Sequence, residues 1–367
     1  MEFDYDKFYG YLMQFFFPLM AILTGLFIWA NYPAMTRKIF GTSLLGREKE
    51  TRRLLNKIKT GQSGVIIGIF GQERTELLTS LRDKNLYGRE AGNLIFSYLD
   101  ISALEPDCTP EQFWKKVLEP LQEKISNDGG LDKLFEQVNQ AQLRLILFLD
   151  RFHDIVHKPN LNQAIFLAKL RSLSTSVHPS PLCLVITAHE SLRKLHEEIT
   201  QEMGYSTSSF FNFMDVGEIT LGALSEPDRD KVLKKLKPKL SKEAQSFIKN
   251  KVGYHPYLLR IAINRLTEAY ETQETNPIEV AKRYFNQQCK ALLDDMLPIL
   301  SSKMCQVFVQ ISQGTFSNPD DYTKELEELE KTGLIKPENA QWQVLSPVFV
   351  ELLKERDVST LCTKKSQ

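Results

Sequence analysis

The sequence lacks an excess of charge of either sign and lacks paired cysteines. Lysine and arginine together number 46, as do aspartate and glutamate, so the formal net charge is zero. A protein that coats nucleic acid usually has a basic surface, and a neutral balance argues against that class. The five cysteines form no Cys-x-x-Cys pair, and no histidine lies beside one at zinc-ligand spacing. We therefore expect buried, reduced thiols, which fits a reducing cytosol, at Cys108, Cys183, Cys289, Cys305 and Cys362.

One segment near the N-terminus lacks charge altogether. No charged residue occurs from Phe8 to Thr36, and Phe8–Trp29 is long and apolar enough to cross about 30 Å of hydrocarbon. A cleaved signal peptide would begin with basic residues and have a shorter apolar core, and a buried core helix is the other alternative. Basic residues cluster after the run, so the short N-terminus is expected outside. We predict a transmembrane anchor at residues 1–36 of a single-pass cell-membrane protein, with its C-terminal domains in the cytoplasm.

The rest of the chain, after a linker at residues 37–45, divides into an alternating part and a helical part. In residues 46–226, apolar strand-like runs alternate with segments of helical period, which predicts a parallel α/β sheet covered on both faces. Residues 227–297 contain only helical patterns and are predicted to form a lid. Residues 298–367 show two helices, a hairpin and a last helix, the order of a winged helix, followed by a tail. The predicted strands are Val65–Phe70, Leu94–Ile101, Leu143–Leu149, Leu182–Thr187 and Met214–Leu221.

The first strand leads into a degenerate phosphate-binding loop. The template G-x-x-x-x-G-K-[S/T] cradles phosphates with backbone amides at a helix N-terminus. Gly68 takes the place of its first glycine and Thr75 that of the magnesium-side hydroxyl, with Gly71 between them. Glu73 replaces the second glycine, where a side chain obstructs the phosphates and a carboxylate repels them. Arg74 replaces the lysine and retains only its charge. An outward Glu73, paired with Arg74, would leave a shallow site that binds nucleotide without cleaving it.

The third strand ends in a carboxylate that completes a nucleotide site in related folds. Asp150 follows the apolar run from Leu145, and an aspartate there would hold magnesium together with Thr75. The alternatives for Asp150 are a helix cap or an ion pair, for example with Arg74. The next residue, where hydrolysing proteins usually have a glutamate that activates water, is Arg151, which cannot act as a base.

The order of these motifs resembles that of the signal-transducing (STAND) ATPases of the AAA type, in their prokaryotic members. The resemblance covers about Leu45 to Glu355 and implies that Thr187 belongs to the nucleotide site and that Pro256, after His255, packs on the adenine. It implies ATP or ADP with magnesium as cofactor if the site still binds, and otherwise none. The matching segments are Gly46-Arg47-Glu48, the loop from Gly68, Leu149-Asp150, Ile186–Leu192, Gly253–Leu259 and Leu345–Phe349.

The sequence leaves three functions open. The first is a membrane-tethered pseudo-ATPase that acts as a scaffold or signalling module through contacts with unknown proteins or copies of itself. The second is a switch that binds ATP and hydrolyses it slowly. The third, a membrane-linked DNA-binding protein, is disfavoured because the helix Asp321–Thr332, which would enter the groove, carries four glutamates on its outer face. A zinc site at His153 and His157 lacks a third ligand nearby.

Overall fold

The computed structural model describes residues 46–122, 125, 130–175, 180–203, 208–215, 217–236, 240–338, 341–354, 356 and 362. Within these ranges, no helix combines the length and the apolar character that crossing a bilayer requires. This finding corrects the predicted single-pass architecture, its membrane contact and its cell-membrane location. The segment predicted to span, Phe8–Trp29, lies outside the described residues, as does the predicted linker.

The first part of the described chain alternates strands and helices as predicted. Short 3-10 turns at Lys84–Asn93, Ile101–Ala103 and Phe152–His157 interrupt the alternation. The elements are α1 Glu48–Lys59, β1 Gly64–Ile67, α2 Gly71–Leu81, β2 Leu94–Asp100, α3 Pro110–Gln122, α4 Gly130–Gln140, β3 Arg144–Asp150, α5 Ala164–Thr175, β4 Leu182–Ala188, α6 Leu192–Met203, α7 Ser208–Asp215 and β5 Glu218–Thr220.

The five strands form one parallel sheet in the order β2-β3-β4-β1-β5. Side chains of β3 alternate between two apolar cores, one on each face: Leu147 joins the first, while Ile146 and Phe148 join the second. Both faces are buried, which is why the strand reads as an unbroken apolar run. The strands are parallel, so their carboxyl ends meet at one edge, and Asp100 pairs in register with Asp150 there.

The predicted fifth strand is wrong over most of its length. Residues 208–215 form helix α7, and only Glu218–Thr220 pair with β1. Phe210, Phe211 and Met214 are spaced to bury one helix face in the first core. A short apolar run fits a buried helix and a buried strand equally well, which explains the error.

The helical part and the C-terminal part share one apolar core. In the helical part a π-turn at Ile248–Val252 follows α9, and a 3-10 turn at Leu297–Ile299 follows α11. The shared core also takes in Ile69 and Phe70 from the turn after β1. The helical part consists of α8 Glu226–Lys235, α9 Lys242–Phe247, α10 Pro256–Glu271 and α11 Pro277–Met296. The C-terminal part consists of α12 Ser302–Gln313, α13 Thr323–Lys331, β6 Ile335–Glu338, the antiparallel β7 Gln341–Val344 and α14 Pro347–Leu353.

Two glycines permit close backbone contact between these parts. At Gly253, φ is +87°, and a Cβ would lie 2.1 Å from the carbonyl oxygen of Leu345. At Gly333, φ is +74°, and a Cβ would lie 2.3 Å from the amide nitrogen of Ala223. Only glycine fits such positions without displacing the neighbouring chain. The backbone leaving the sheet is therefore in contact with the C-terminal part.

A disulfide corrects the prediction that all cysteines are reduced. Cys305 on α12 is bonded to Cys362, 57 residues later, and their Cα atoms are 5.5 Å apart. Cys108, Cys183 and Cys289 are free and buried, as predicted. The bond attaches the C-terminal tail to the C-terminal part.

Candidate functional site

The loop after β1 is much shorter than the phosphate-binding template. Strand β1 ends at Ile67 and helix α2 begins at Gly71, which leaves only three residues between them. The amide of Arg74 donates to the carbonyl of Phe70 at 3.3 Å, a helical hydrogen bond. Gly71 and Glu73 are therefore in the first turn of a regular helix. The template's extended loop is thus reduced to three residues, and the positions from Gly71 onward belong to α2.

Aromatic contacts attach this loop to the helical part. Phe70 is 3% exposed, and its ring centroid lies 4.7 Å from that of His255 and 5.1 Å from that of Tyr257. The Tyr257 hydroxyl also donates to Oε1 of Gln72 at 2.6 Å. His255 caps helix α10 by accepting from the Tyr257 amide at 3.3 Å. His255 therefore lies beside the loop that begins at Gly68, because the start of α10 packs directly on Phe70.

Glu73 points inward, not outward. Its Oε1 accepts a hydrogen bond from Nε of Arg47 at 2.8 Å, and the two side chains are 2% and 1% exposed. Arg47 also donates to the carbonyl of Gly222 at 2.7 Å. The pairing of Glu73 with Arg74 considered above is therefore wrong. A buried charge needs a partner of this kind, since its desolvation would otherwise cost several kcal/mol.

The side chain of Arg74 turns back on the loop. It donates a hydrogen bond to the carbonyl of Gly68, and its Nη2 lies 3.5 Å from where a Cβ on Gly71 would be. Burial lowers the pKa of Arg74 to about 10, so the group remains charged at neutral pH. In the template the basic residue reaches out to phosphate. Here it binds the carbonyl of the first loop glycine instead.

Asp150 is the centre of a network of hydroxyl groups. Its carboxylate accepts from the hydroxyls of Thr75, Tyr98 and Thr187, the Tyr98 bond being 3.0 Å. It also accepts from the amide of Arg151 at 3.0 Å. The structure thus brings together the three predicted polar positions of the nucleotide site, and they bond directly to one another. The alternative roles considered for Asp150 were a helix cap and an ion pair with Arg74. Its hydrogen bonds go instead to three hydroxyls and to the amide of Arg151.

The position of the expected water-activating glutamate is occupied by an ion pair. Arg151 adopts a left-handed backbone conformation with φ of 52°. Its Nε donates to Oδ1 of Asp100, at the end of the neighbouring strand, at 3.0 Å. A guanidinium held in this way cannot accept a proton from water.

Two further histidines pack at the same edge of the sheet. The rings of His153 and His189 are 4.0 Å apart. Burial lowers the pKa of His153 to about 2 and that of His189 to about 3, so both are neutral at pH 7. Among the described residues, no three histidine, cysteine or acidic side chains group as metal ligands would.

The predicted adenine-contacting residue packs against the protein itself. A Cβ on Gly46 would lie 3.4 Å from Cβ of Pro256 and 3.1 Å from the side chain of Leu224. The sequence did not indicate the parts played by Arg47, Phe70 and Tyr98. The only signal was the position of Arg47 in the first matching motif. The residues of the expected nucleotide site are thus close together and bonded to other protein groups.

Similarity to known proteins is found at the level of structure alone. No protein-family model and no curated protein matches the sequence. A Walker-type ATPase of Pyrococcus abyssi superposes with a TM-score of 0.55 at 16% identity, over 84% of this chain and 95% of that one. The ORC2 protein of Aeropyrum pernix, solved in ADPNP and ADP complexes, superposes with a TM-score of 0.54 at 14% identity, over 86% and 93%. The chain therefore shares its fold with this Walker-type ATPase and with the ORC2 protein.

Proposed function

We propose that this AAA-type fold acts as a pseudo-ATPase: a scaffold or signalling module that works through protein contacts and does not hydrolyse ATP. The observation that carries the proposal is the buried pair of Arg47 and Glu73. It places a carboxylate, held inward by hydrogen bonding, at the residue where the template requires glycine. Because the pair is internal, it is part of the folded core.

Two further features support the loss of hydrolysis. The loop between Ile67 and Gly71 has only three residues, and Phe70 packs against the rings of His255 and Tyr257, which leaves little room for a phosphate beside it. Arg151 also removes the general base, a loss typically worth about 10²–10⁴ in rate. The first feature opposes binding and the second opposes turnover.

The second candidate is a nucleotide switch that binds ATP and turns it over slowly. The observation in its favour is that the hydroxyls of Thr75 and Thr187 both donate to Asp150, the carboxylate expected to hold magnesium. The ORC2 protein with a similar fold was solved with ADPNP and ADP. Magnesium would have to displace the hydroxyls from Asp150 before binding there. DNA binding remains disfavoured, because α13 presents Glu327 and Glu330 on its exposed side.

Phosphate release and ATP affinity of the purified full chain test the proposal. We expect no turnover above that of Asp150→Asn, a control that would expose a contaminating ATPase because it alters only this protein. Turnover by the wild type at about 1 s⁻¹ would be at the low end for enzymes. If that activity disappears in Asp150→Asn, the scaffold proposal is wrong and the nucleotide switch takes its place. Micromolar ATP binding without turnover would keep the scaffold and add a ligand.

A further inference from the structure

A cavity lies between the end of β1 and the C-terminal part. Its inner chamber has a volume of about 100 Å³, and its apolar lining includes Ile67, Ile69, Leu300 and Met304. The outer cleft, which shares Met304 with it, has a volume of about 640 Å³. We call the two together the α6–α13 cleft, after the helices that form its walls.

The mouth of the α6–α13 cleft has an excess of negative charge. The two volumes are lined by six glutamates and four basic side chains. His189, which also lines the chamber, adds no charge, because burial lowers its pKa to about 3. The glutamates are Glu190, Glu197, Glu218, Glu325, Glu327 and Glu328, and the basic side chains are Arg193, Lys194, Lys324 and Lys331.

One of the basic side chains is already neutralised by the protein. Nζ of Lys194 on α6 lies 2.7 Å from a carboxylate oxygen of Glu190 and 4.0 Å from one of Glu328 on α13. This bridge joins the two walls across the cleft. Five glutamates and four basic side chains line the outer cleft, so its excess of negative charge is small, and Glu327 is exposed on α13.

The size of the inner chamber limits what can enter it. An apolar cavity of about 150 Å³ admits benzene, so 100 Å³ suits a smaller group such as a branched aliphatic side chain. Burying such a side chain stabilises a complex by about 1.5–3 kcal/mol of transfer free energy. The outer volume is in the range of about 300–1,000 Å³ that is usual for ligand sites, enough for the residues on either side of that anchor.

We infer that the α6–α13 cleft docks a segment of a partner protein in which one aliphatic side chain is flanked by lysine or arginine. The aliphatic side chain fills the chamber above Ile67 and Ile69, and the flanking cations face the glutamates of α13. This inference rests on the proposed scaffold function and names the kind of partner that it would hold. The bound segment would contact the strand that leads into the Gly68 loop.

The test measures binding of a short fluorescent peptide, Ser-Lys-Leu-Lys-Ser, to the full chain by fluorescence anisotropy. Replacing its leucine with serine, or its lysines with glutamates, should weaken binding at least tenfold. The protein variant Glu327→Lys should weaken it about tenfold, since it exchanges an attraction for a repulsion at the rim. Glu330→Lys is the matched control: it makes the same charge change on the same exposed helix, outside the cleft lining, and should change affinity less than twofold.

Equal affinity for the leucine and serine peptides, or equal effects of the two lysine variants, would overturn the inference. Competition with 3-methylbutylamine identifies the occupant: if this small cation displaces the peptide at equal concentration, the cleft takes a small molecule and the peptide assignment is wrong. Failure to displace it supports a protein segment. A chain that hydrolysed ATP and still bound the peptide would overturn the proposed function alone.

Discussion

The guanidinium Nε of Arg47 lies 2.8 Å from Oε1 of Glu73, and both side chains are almost fully buried. The bond joins the residue before α1 to the first turn of α2, 26 positions later. It replaces an opening for a ligand with an internal ionic contact. We therefore expect a variant that opens this position to phosphate to lose stability, because opening it means breaking the pair.

Removing one member of the pair should destabilise the protein strongly. Glu73→Gln leaves the buried guanidinium of Arg47 with only a longer ionic contact, from its Nη1 to Oε1 of Glu50 at 3.6 Å, and we expect a loss of about 3 kcal/mol in the free energy of unfolding. Replacing both residues, as in Arg47→Met with Glu73→Leu, should recover most of that loss because no charge is left unpaired. Urea unfolding of the two variants and the wild type measures both effects. Equal losses in the single and double variants would show that the pair itself contributes nothing.

Restoring the template residues alone should not restore a nucleotide site. Glu73→Gly with Arg74→Lys removes the obstruction but again leaves the buried Arg47 with only its longer contact to Glu50 at 3.6 Å, so we expect a less stable protein with little affinity for ATP. Adding Arg47→Met should recover stability and allow ATP with magnesium to raise the melting temperature. Thermal shift assays on the wild type and both variants compare these outcomes. Equal ATP binding by wild type and the triple variant would mean that Arg47 and Glu73 do not close the site.

Stability should fall with acid, in part through His255. Burial lowers its pKa to about 4, from about 6.5 for an exposed histidine, although Glu73 at 4.0 Å favours the charged form. Between those values the unfolded chain binds a proton that the folded chain does not. The free energy of unfolding therefore decreases by up to about 1.4 kcal/mol per pH unit as the pH falls from 6.5 toward 4.

The variant His255→Asn isolates this contribution. Asparagine can still accept from the Tyr257 amide and cap α10, but it has no proton to bind. The free energy of unfolding, obtained from urea titrations between pH 7.5 and 5, should fall less steeply with decreasing pH in the variant. The difference in slope should correspond to about one proton. Identical slopes for the two proteins would rule out His255 as a source of the acid sensitivity.

The disulfide should stabilise the protein and leave three thiols. Closing a loop of 57 residues between Cys305 and Cys362 constrains the unfolded chain, an effect of about 4 kcal/mol in the simple entropy model. Cys362→Ser should lower stability toward that amount, and a reductant should then have no further effect on the variant. Thiol titration of the unreduced, unfolded wild type should detect three of the five cysteines. Detection of five would contradict the bond.

The sheet could be predicted from sequence because its central strands are buried on both faces. Runs such as Leu145–Leu149 have no other simple interpretation when they alternate with helical segments. The position of Asp150 follows from the same pattern, since the end of a parallel strand fixes where the next side chain lies. The resemblance drew attention to the segment of His255 and Pro256, and His255 does contact Phe70 and Glu73 at this edge of the sheet.

The contacts that decide function could not be predicted in this way. Whether Glu73 faces outward or inward depends on where α2 begins, and helix boundaries shift easily by a residue or two. The partner of Glu73 lies in another helix, and Tyr98 reaches Asp150 from a neighbouring strand. Pairing of Cys305 with Cys362 likewise depends on the tertiary fold. Sequence patterns report burial and period, but not which polar groups meet across elements.

The glycine contacts at Gly253 and Gly333 have a mechanical consequence. The segment that leaves the sheet contacts Gly333 through Ala223. The amide of the next residue, Leu224, donates a hydrogen bond to the carbonyl of Tyr254 at 3.0 Å. The segment is thus held from two sides, and we expect it to resist the bending that a hinge between the sheet and the helical part would need.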